Sequence, residues 1–580
     1  MAEREQFEVV HSASSESGSI SLSRREVMKG LALTAIAGGT TGNAMAQSAK
    51  APPTNAYPAI ITTAGDSVRA STSSPMVETE YGRIRGFVRN GIYTFKDVPY
   101  GAESSGANRF MPPKKPASWT GVRPCLHHGF VCPQRMRDAW GNQEEAWLFD
   151  WNDGIPSEDC LNLNVWTPAL DDGKRPVMVW LHGGAFMAGS SIELPSYDGE
   201  NLAHRGVVQV GVMHRLSILG FLNLAAFGEQ YADSGNVGML DIVAALEWVR
   251  DNIARFGGDP NRVTIYGQSG GGAKVTALMA MPSAKGLFHR GIVQSGSMLS
   301  AFSKERSNEM AEKVLKVLGI DSANVSKIQQ LPVEEVDKAA EVASGPFQRM
   351  PQMWGPTAGT ASLPEVPFTP KAPEISASVP LMVGSTLNES FQAVDKPDAF
   401  KMTQGELETR LRTSWKDKTD EVIRVFRKNF PNANNFQLWS VISASRARFG
   451  VLTQARRKAE QKAAPAYCYR FDWQSPVLEG RPMALHCGDI PFAFDNTARC
   501  ANMTGNGPEA RALAARMSEA WIHFAASGDP NHPGIPRWKP FDPATNGTMV
   551  LDNQCEFREH LDDECQNVIG DQPDPRGRGV

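Results

Sequence analysis

The sequence predicts an α/β fold built on an open, mostly parallel β-sheet with helices on both faces. The first observation is a series of strand-like segments rich in Val, Ile and aromatic residues, at 161–166, 177–181, 207–212, 263–266, 291–293 and 380–383. The second is an amphipathic helix between the third and fourth segments, whose apolar face carries Ile242, Ala245, Leu246, Val249 and Ile253. Repeated strand, helix and strand units pack as a parallel sheet between helical layers.

The first 46 residues have the features of a bacterial twin-arginine export signal. The pair Arg24 and Arg25 precedes a weakly apolar stretch at 30–38, and Ala44-Met45-Ala46 offers a small-residue cleavage site. A disordered cytosolic leader with a chance arginine pair is the alternative. We therefore expect a periplasmic or secreted product.

The export signal is followed by a predicted flexible linker at residues 47–75, rich in Ala, Pro, Ser and Thr, and then by a folded domain at 76–580. No later segment approaches the roughly 20 continuous apolar residues that span a bilayer, so stable membrane insertion is not expected. The whole chain has 59 basic and 63 acidic residues and a net charge of −4. This balance offers no basic excess to bind nucleic acid or anionic lipid.

Eight cysteines occur in the predicted mature chain, at 125, 132, 160, 468, 487, 500, 555 and 565. An even number in an exported protein favours disulfides over thiol chemistry. The sequence contains no C-x-x-C or H-E-x-x-H motif, and the adjacent pair His127 and His128 lacks the spacing for chelation from one helix face. We expect neither a metal site nor a cofactor.

A glycine-rich turn, Gly267-Gln268-Ser269-Gly270-Gly271, directly follows the strand predicted at 263–266. A sharp strand-to-helix turn forces its apical residue into strained backbone angles and leaves no room for side chains two positions away on either side. This pattern is typical of the nucleophile elbow of serine hydrolases, with Ser269 exposed at the carboxyl end of the sheet. A glycine-serine turn without chemistry is the alternative.

A phosphate-binding loop is a further alternative, because Gly267 and Gly272 have the glycine spacing of that motif. However, Ala273 separates Gly272 from Lys274, and Val275 stands where a Ser or Thr hydroxyl would hold magnesium. The sequence therefore excludes this alternative on two counts.

A serine nucleophile needs a histidine base and an orienting carboxylate, which follow it in the order Ser, acid, His on this class of fold. The candidate bases are His486, His523, His532 and His560. His486 lies on an irregular segment before an apolar run, where a side chain can reach the sheet end. His523 lies inside a predicted helix at 510–526, which is typical of a packed core histidine.

Glu389 is the candidate acid because it follows the strand at 380–383 and a short turn, although a solvated loop glutamate is an equal alternative. The glycine pair in His182-Gly183-Gly184-Ala185 follows another strand, so that main-chain amides can face a developing oxyanion there. Helical, charged patterns at 303–342 and 404–462 are predicted to build walls over the sheet end.

Six motifs follow one another in order: Ser157–Val165, His182–Phe186, Gly235–Asp241, Phe256–Pro260, Gly267–Gly271 and Phe524–Asn531. Together they resemble the type-B carboxylesterase family, which includes cholinesterases and bacterial para-nitrobenzyl esterases, from about Val77 to Cys555. The resemblance implies an α/β-hydrolase fold and hydrolysis of small-molecule esters through an acyl-enzyme. Some family members are non-catalytic binding proteins that have lost the triad, which is the alternative function.

The resemblance also assigns individual roles. It implies a catalytic triad of Ser269, Glu389 and His486, and oxyanion donors at the backbone amides of Gly184, Ala185 and Gly270. It pairs Cys132 with Cys160 in a disulfide. Within the loop that this bridge would close, Trp151 is similar to the tryptophan that stacks on the substrate's quaternary ammonium in cholinesterases; packing of the loop onto the domain is an equal alternative.

The chain departs from the family pattern beside two of these groups. Gly270 replaces the usual alanine after the nucleophile, while Asn388 and Ser390 replace an acidic residue and a glycine on either side of the acid. Lipase, thioesterase and amidase activities use the same machinery, and ester cleavage is the expected one because amide cleavage demands more of the general acid.

Overall fold

A computed structural model describes residues 67–134, 142–344 and 354–570. The predicted export signal and most of the predicted linker therefore lie outside the described residues. The strands are β1 (Val68–Arg69), β2 (Met76–Thr79), β3 (Gly82–Arg85), β4 (Phe87–Arg89), β5 (Ile92–Pro99), β6 (Val122–Pro124), β7 (Asn162–Thr167), β8 (Arg175–Leu181), β9 (Val208–Val212), β10 (Gly258–Gln268), β11 (Arg290–Gln294), β12 (Leu381–Thr386), β13 (Ala466–Phe471), β14 (Thr548–Leu551) and β15 (Glu556–Arg558).

From β8 to β14, one or more α-helices lie between successive strands of the described chain. The α-helices of the described residues are α1 (Gln143–Phe149), α2 (Glu200–His204), α3 (Ser217–Phe221), α4 (Val237–Asn252), α5 (Gly270–Leu278), α6 (Lys304–Val317), α7 (Val333–Ser344), α8 (Gln404–Trp415), α9 (Thr419–Asn429), α10 (Asn435–Glu460), α11 (Ile490–Ala493), α12 (Ala501–Thr504), α13 (Pro508–Ser527) and α14 (Asp563–Ile569).

One 12-stranded sheet forms the centre of the domain, in the order β1-β4-β5-β7-β9-β8-β10-β11-β12-β13-β14-β15. Its neighbours from β9 to β14 all pair in parallel. The strands toward the β1 edge and the last strand at the other edge pair antiparallel. The predicted mostly parallel sheet is therefore confirmed, and β7 to β12 correspond to the six predicted strands. Three further strands form a small separate sheet, β2-β3-β6.

The parallel strands are buried along their length, because helices cover both faces of the sheet. Every residue of β9, β12 and β13 is buried. Helix α4 presents the predicted apolar face to the core, with Ile242, Ala245, Leu246 and Val249 fully buried. The hydrophobic pattern thus identified β9 and β12 as buried strands and the face of α4 that packs on the core, but it did not identify β13.

The two segments predicted as helical insertions are helical in the structure. Helices α6 and α7 occupy the first segment, and α8, α9 and α10 occupy the second. Helix α10 packs on β12 and β13. None of the helices in the described part of the chain combines the length and apolar character that a membrane crossing requires.

Candidate active site

Ser269 lies at the apex of a sharp turn between β10 and α5, with backbone angles of φ 56° and ψ −122°. Positive φ is unfavourable for a residue with a side chain and persists where the surrounding structure imposes it. A Cβ at Gly271 would lie 1.9 Å from the Leu181 carbonyl oxygen, and one at Gly267 would lie 2.5 Å from the same oxygen. Glycine at both positions therefore lets the turn pack directly on β8.

Backbone hydrogen bonds hold the turn at the carboxyl end of the sheet. The Ser269 N–H donates to the Gln294 carbonyl at 2.7 Å, which ties the turn to β11. The Ala273 N–H donates to the Ser269 carbonyl at 3.0 Å, which begins the first turn of α5. The serine is thus placed by two strands and a helix.

Glu389 and His486 are 97 residues apart in the sequence, and their side chains are in contact in the structure. The Nδ1–H of His486 donates to Oε2 of Glu389. The other carboxylate oxygen, Oε1, accepts from the Thr386 N–H at 2.9 Å, and the Glu389 N–H donates to Thr386 Oγ1 at 3.2 Å. The turn after β12 therefore fixes the direction in which the carboxylate faces the imidazole.

His486 also lies against the residue that precedes the candidate nucleophile. The Gln268 side-chain amide lies 3.3 Å from His486 Nε2, and its Oε1 accepts from the Cys487 thiol at 3.2 Å. Among the described residues, no hydrogen bond joins the Ser269 hydroxyl to the imidazole. Catalytic hydrogen bonds are often long in the free enzyme and tighten when substrate binds.

Two opposing effects set the pKa of His486. Burial lowers it, because a charged imidazolium loses hydration. The carboxylate of Glu389 raises it by charge attraction and hydrogen bonding, and the net result is a pKa above the usual value. The side chain remains 20% exposed, so the ring is open to a substrate on one side.

The loop that follows β8 approaches the serine from the opposite side. A Cβ at Gly183 would lie 3.8 Å from the Cβ of Ser269. Gly184 and Ala185 both have positive φ, at 76° and 54°. A Cβ at Gly270 would lie 2.4 Å from the Ala185 nitrogen, so glycine at 270 allows the loop to approach the elbow closely. The amides of the loop and of the first residue of α5 therefore lie beside the candidate nucleophile.

A family comparison now decides the class of protein. The model of the carboxylesterase family matches residues 73–568. The chain belongs to the carboxylesterase family. The para-nitrobenzyl esterase of Bacillus subtilis (strain 168) is 33% identical over 502 residues, which cover 85% of this chain and 98% of that protein.

Solved structures of similar proteins agree with this assignment. An esterase from Clostridium hathewayi, described as able to hydrolyse aliphatic aromatic polyesters, has a TM-score of 0.76 and 35% identity over 87% of this chain and 99% of its own. The carboxylesterase EST55 of Geobacillus stearothermophilus has a TM-score of 0.72 and 36% identity over 85% and 99% of the two chains. The predicted α/β-hydrolase fold and carboxylic ester hydrolase activity are confirmed, and a non-catalytic binding protein is not favoured.

The remaining candidate histidines of the carboxylesterase lie elsewhere. His523 is not the packed core residue that its helical position predicts, because its side chain is 42% exposed on α13 and pairs with Glu519 at 3.2 Å. The flanking Trp521 and Phe524 face the core instead. His532 contacts the Arg516 carbonyl, and His560 pairs with Asp563.

Asn388, one of the departures from the family pattern, joins the loops of the acid and the histidine. Its backbone N–H donates to the Ala484 carbonyl at 3.2 Å, and its Oδ1 accepts from the Ala484 N–H at 3.1 Å. Its Nδ2 donates to Ser440 Oγ on α10 at 3.2 Å. Because Ala484 precedes His486 by two residues, this amide ties the loop of Glu389 to the loop of His486. The sequence gives no signal of this role.

Asp489, three residues after His486, is a second carboxylate that sequence reasoning did not single out. It is fully buried, and it accepts from Gln294 Nε2 and from the Tyr469 hydroxyl, both at 2.9 Å. Burial raises its pKa to about 6. The hydrogen-bond partners of Asp489 are side chains of β11 and β13, whereas Glu389 is hydrogen-bonded to the imidazole of His486.

Aromatic rings connect the predicted substrate-binding tryptophan to the esterase's histidine. The rings of Trp151 and Phe149 make an edge contact at 6.3 Å, Phe149 contacts Phe391 at 5.6 Å, and Phe391 contacts His486 at 5.7 Å. Trp151 is half-buried and packs on the core. Only Trp151 had been singled out from the sequence, because the contacts of the phenylalanines depend on the tertiary fold.

The predicted disulfide partners lie side by side. Cys132 and Cys160 are both buried, and the eight cysteines are free thiols in this structure. A hydrogen bond with Cys132, together with burial, holds the pKa of the Cys160 thiol well above its usual value. The Cys132–Cys160 bridge stays a prediction.

Proposed function

We propose that this esterase forms an acyl-enzyme on Ser269, with His486 as the general base and Glu389 as the group that orients and stabilises the imidazolium. The observation that carries the proposal is the hydrogen bond between His486 Nδ1 and Glu389 beside the strained turn of Ser269. Because the Nδ1–H group makes a hydrogen bond to the carboxylate, the proton of the neutral imidazole is on Nδ1. The lone pair of Nε2 is therefore free to accept the proton of the serine hydroxyl.

The reaction would proceed in two halves. His486 Nε2 takes the Ser269 hydroxyl proton while Oγ bonds to the ester carbonyl carbon, and the same proton is then delivered to the departing alkoxide as the C–O bond breaks. In the second half, water attacks the acyl carbon as His486 takes its proton, and the imidazolium then returns that proton to Ser269 Oγ as the bond between Oγ and the acyl carbon breaks and the acid is released. The backbone amides of Gly184, Ala185 and Gly270 would hold the oxyanion in both tetrahedral intermediates, which their position beside Ser269 supports.

Replacement of the nucleophile tests this mechanism. Ser269→Ala should lower kcat for a chromogenic aryl ester by about 10⁴ to 10⁶, because only binding and the oxyanion hole then remain. Ser283→Ala, an exposed serine beyond α5, is the matched control and should retain full activity. Wild-type turnover by Ser269→Ala, or acylation of a residue other than Ser269 in a mass spectrum of the trapped intermediate, would refute the mechanism.

We further propose that Trp151 contributes to the alcohol side of the substrate site and favours esters of aryl or bulky alcohols. The ring contacts that run from Trp151 through Phe149 and Phe391 to His486 support this proposal. Flat aromatic faces bury apolar rings with a preferred geometry.

We also propose that residues 1–46 direct export through the twin-arginine route and are then removed, which leaves a periplasmic or secreted enzyme. The support is the sequence pattern of Arg24, Arg25 and the small-residue site that ends at Ala46. Replacing both arginines by lysine should retain the precursor in the cytoplasm of a bacterial host. An unchanged distribution between cytoplasm and periplasm would contradict export by this route.

A further inference from the structure

A lysine lies buried behind the loop that approaches Ser269. Lys274 is in α5, five residues after the nucleophile, and its side chain is fully buried. Its Nζ donates to the His182 carbonyl at 2.8 Å and to the Gly183 carbonyl at 3.4 Å. Burial of an ammonium group costs folding free energy unless the group is hydrogen-bonded and paired with an opposite charge. The two carbonyl acceptors supply the hydrogen bonds, and the opposite charge must come from a nearby side chain.

The nearby charge is the carboxylate of Glu193, which is also buried. It accepts from the Ser190 N–H at 2.8 Å and from the Tyr197 hydroxyl at 3.0 Å. Burial lowers the pKa of Lys274 to about 7 against the attraction of Glu193, and burial raises the pKa of Glu193 to about 7. Both hydrogen-bond partners of Lys274 are carbonyl oxygens, which only accept, and the charge of the Glu193 carboxylate favours the protonated form of the amine.

Two stacked histidines lie next to the same loop. The rings of His182 and His214 are 4.8 Å apart and nearly parallel. Burial holds the pKa of each well below its usual value, and the charge of Lys274 lowers both further. The histidines are therefore neutral, and Lys274 is the group among these that carries a positive charge when it is protonated opposite Glu193.

One of the two hydrogen bonds of Lys274 acts on a peptide unit that carries a proposed oxyanion donor, and the other holds the preceding peptide unit of the same loop. The Gly183 carbonyl, which accepts from Lys274 Nζ and from His182 Nδ1 at 3.0 Å, belongs to the same peptide unit as the Gly184 N–H. Donation to a carbonyl polarises its peptide and strengthens the N–H on the other side. The Gly184 carbonyl likewise accepts from the N–H groups of residues 187 and 188, at 3.2 and 3.1 Å.

We propose that Lys274 is a positioning residue of the oxyanion hole: its ammonium group fixes the loop through the His182 and Gly183 carbonyls and adds positive charge behind the Gly184 N–H. This inference rests on the proposed role of the Gly184, Ala185 and Gly270 amides. A fixed positive charge stabilises the oxyanion of the tetrahedral intermediate more than the uncharged ester, so its effect falls on kcat rather than on KM.

Kinetics of Lys274→Met test the proposal, because methionine has a similar length without charge or donors. We expect kcat to fall by about 10- to 100-fold, as for loss of a charge-assisted hydrogen bond, with KM changed by less than about threefold. Affinity for an alkyl boronic acid, which forms a tetrahedral adduct with the serine, should fall by the same factor as kcat. Thr276→Val, a buried change on the same helix whose hydroxyl contacts Gly272 and Gln454, should leave kcat unchanged.

A spectroscopic measurement separates this role from simple packing. In a cinnamoyl acyl-enzyme, the infrared stretch of the acyl carbonyl reports the strength of the oxyanion donors. We expect that stretch to move to higher frequency in Lys274→Met and to an intermediate value in Lys274→Gln, which keeps a neutral donor. Lys274→Gln is also the second variant if Lys274→Met does not fold, with an intermediate loss of kcat expected.

The outcomes distinguish this inference from the proposed triad. If Ser269→Ala abolishes turnover while folded Lys274 variants keep the wild-type kcat and carbonyl frequency, the role of Lys274 is wrong and the triad stands. A rise in KM equal to the fall in kcat, with an unchanged carbonyl frequency, would also overturn it. If Ser269→Ala remains active, the proposed mechanism itself fails.

Discussion

Glu389→Gln tests the link between the acid and the histidine most directly, because it removes one charge and keeps the shape of the side chain. The new amide oxygen can still accept from the Thr386 N–H, as Oε1 does now. The new NH₂ group would face His486 Nδ1, which must then act as an acceptor. The imidazole proton moves to Nε2, where it blocks transfer from Ser269, so we expect kcat to fall by about 10⁴, as for the equivalent change in other serine hydrolases.

The same substitution should shift the pH dependence of the residual activity. The attraction of Glu389 raises the pKa of His486 above the usual value, and activity is lost as pH falls through that pKa because the protonated imidazole is no base. An opposite charge at this distance shifts a pKa by about 1 to 3 units, or about 1.4 to 4 kcal/mol. Without the charge of Glu389, burial is opposed by the weaker attraction of Asp489, so the pKa of His486 should fall and the acid limb should move to lower pH.

The assay is kcat/KM for an aryl ester between pH 4.5 and 8.5. Asp489→Asn is the matched comparison, because it neutralises another buried carboxylate that is hydrogen-bonded to Gln294 and Tyr469 rather than to the imidazole. It should shift the acid limb less than Glu389→Gln does. An acid limb that stays in place in Glu389→Gln, or a larger shift in Asp489→Asn, would refute the assignment of Glu389.

Three further predictions concern packing, substrate and redox state. Gly271→Ala should abolish soluble, active enzyme because its Cβ overlaps β8, whereas Gly405→Ala, in open space on α8, should leave the melting temperature equal or slightly higher. Trp151→Ala should raise KM for aryl or bulky-alcohol esters more than for methyl esters, and equal effects would indicate a packing role. In exported protein, peptide mass spectrometry should find Cys132 joined to Cys160, and two free thiols would contradict the bridge. Because the bridge would close a loop of about 28 residues, its reduction should lower the free energy of unfolding by up to about 3.6 kcal/mol.

Hydrophobic pattern predicted the centre of the sheet, but it missed strands whose sequence mixes apolar and charged residues. Strand β13 contains Arg470, which is buried and pairs with Asp472 and Asp562. An arginine within an apolar run indicates a surface position in the sequence, because the distant carboxylate that pairs with it is not yet known. The run was therefore not predicted as a buried strand. Strand β14 has four residues, too few for a periodic signal.

The part of the candidate site that could be predicted from the sequence is the part in which the backbone conformation requires particular residue types. The elbow requires glycine at fixed positions, and the order of nucleophile, acid and base follows from the fold. Lys274 was informative in the sequence only as evidence against phosphate binding. Its contacts with the carbonyls after β8 arise from the packing of α5 on that strand, and a local pattern cannot encode them.

Asn388, which departs from the family pattern, makes a set of hydrogen bonds that an acidic residue could not make in full. The oxygens of a carboxylate at this buried position would act only as acceptors. Asn388 instead supplies a neutral amide that both accepts from Ala484 and donates to Ser440. A carboxylate could replace the accepted bond but could not donate to Ser440. Asparagine thus ties the loop of Glu389 to the loop of His486 and to α10 through three hydrogen bonds.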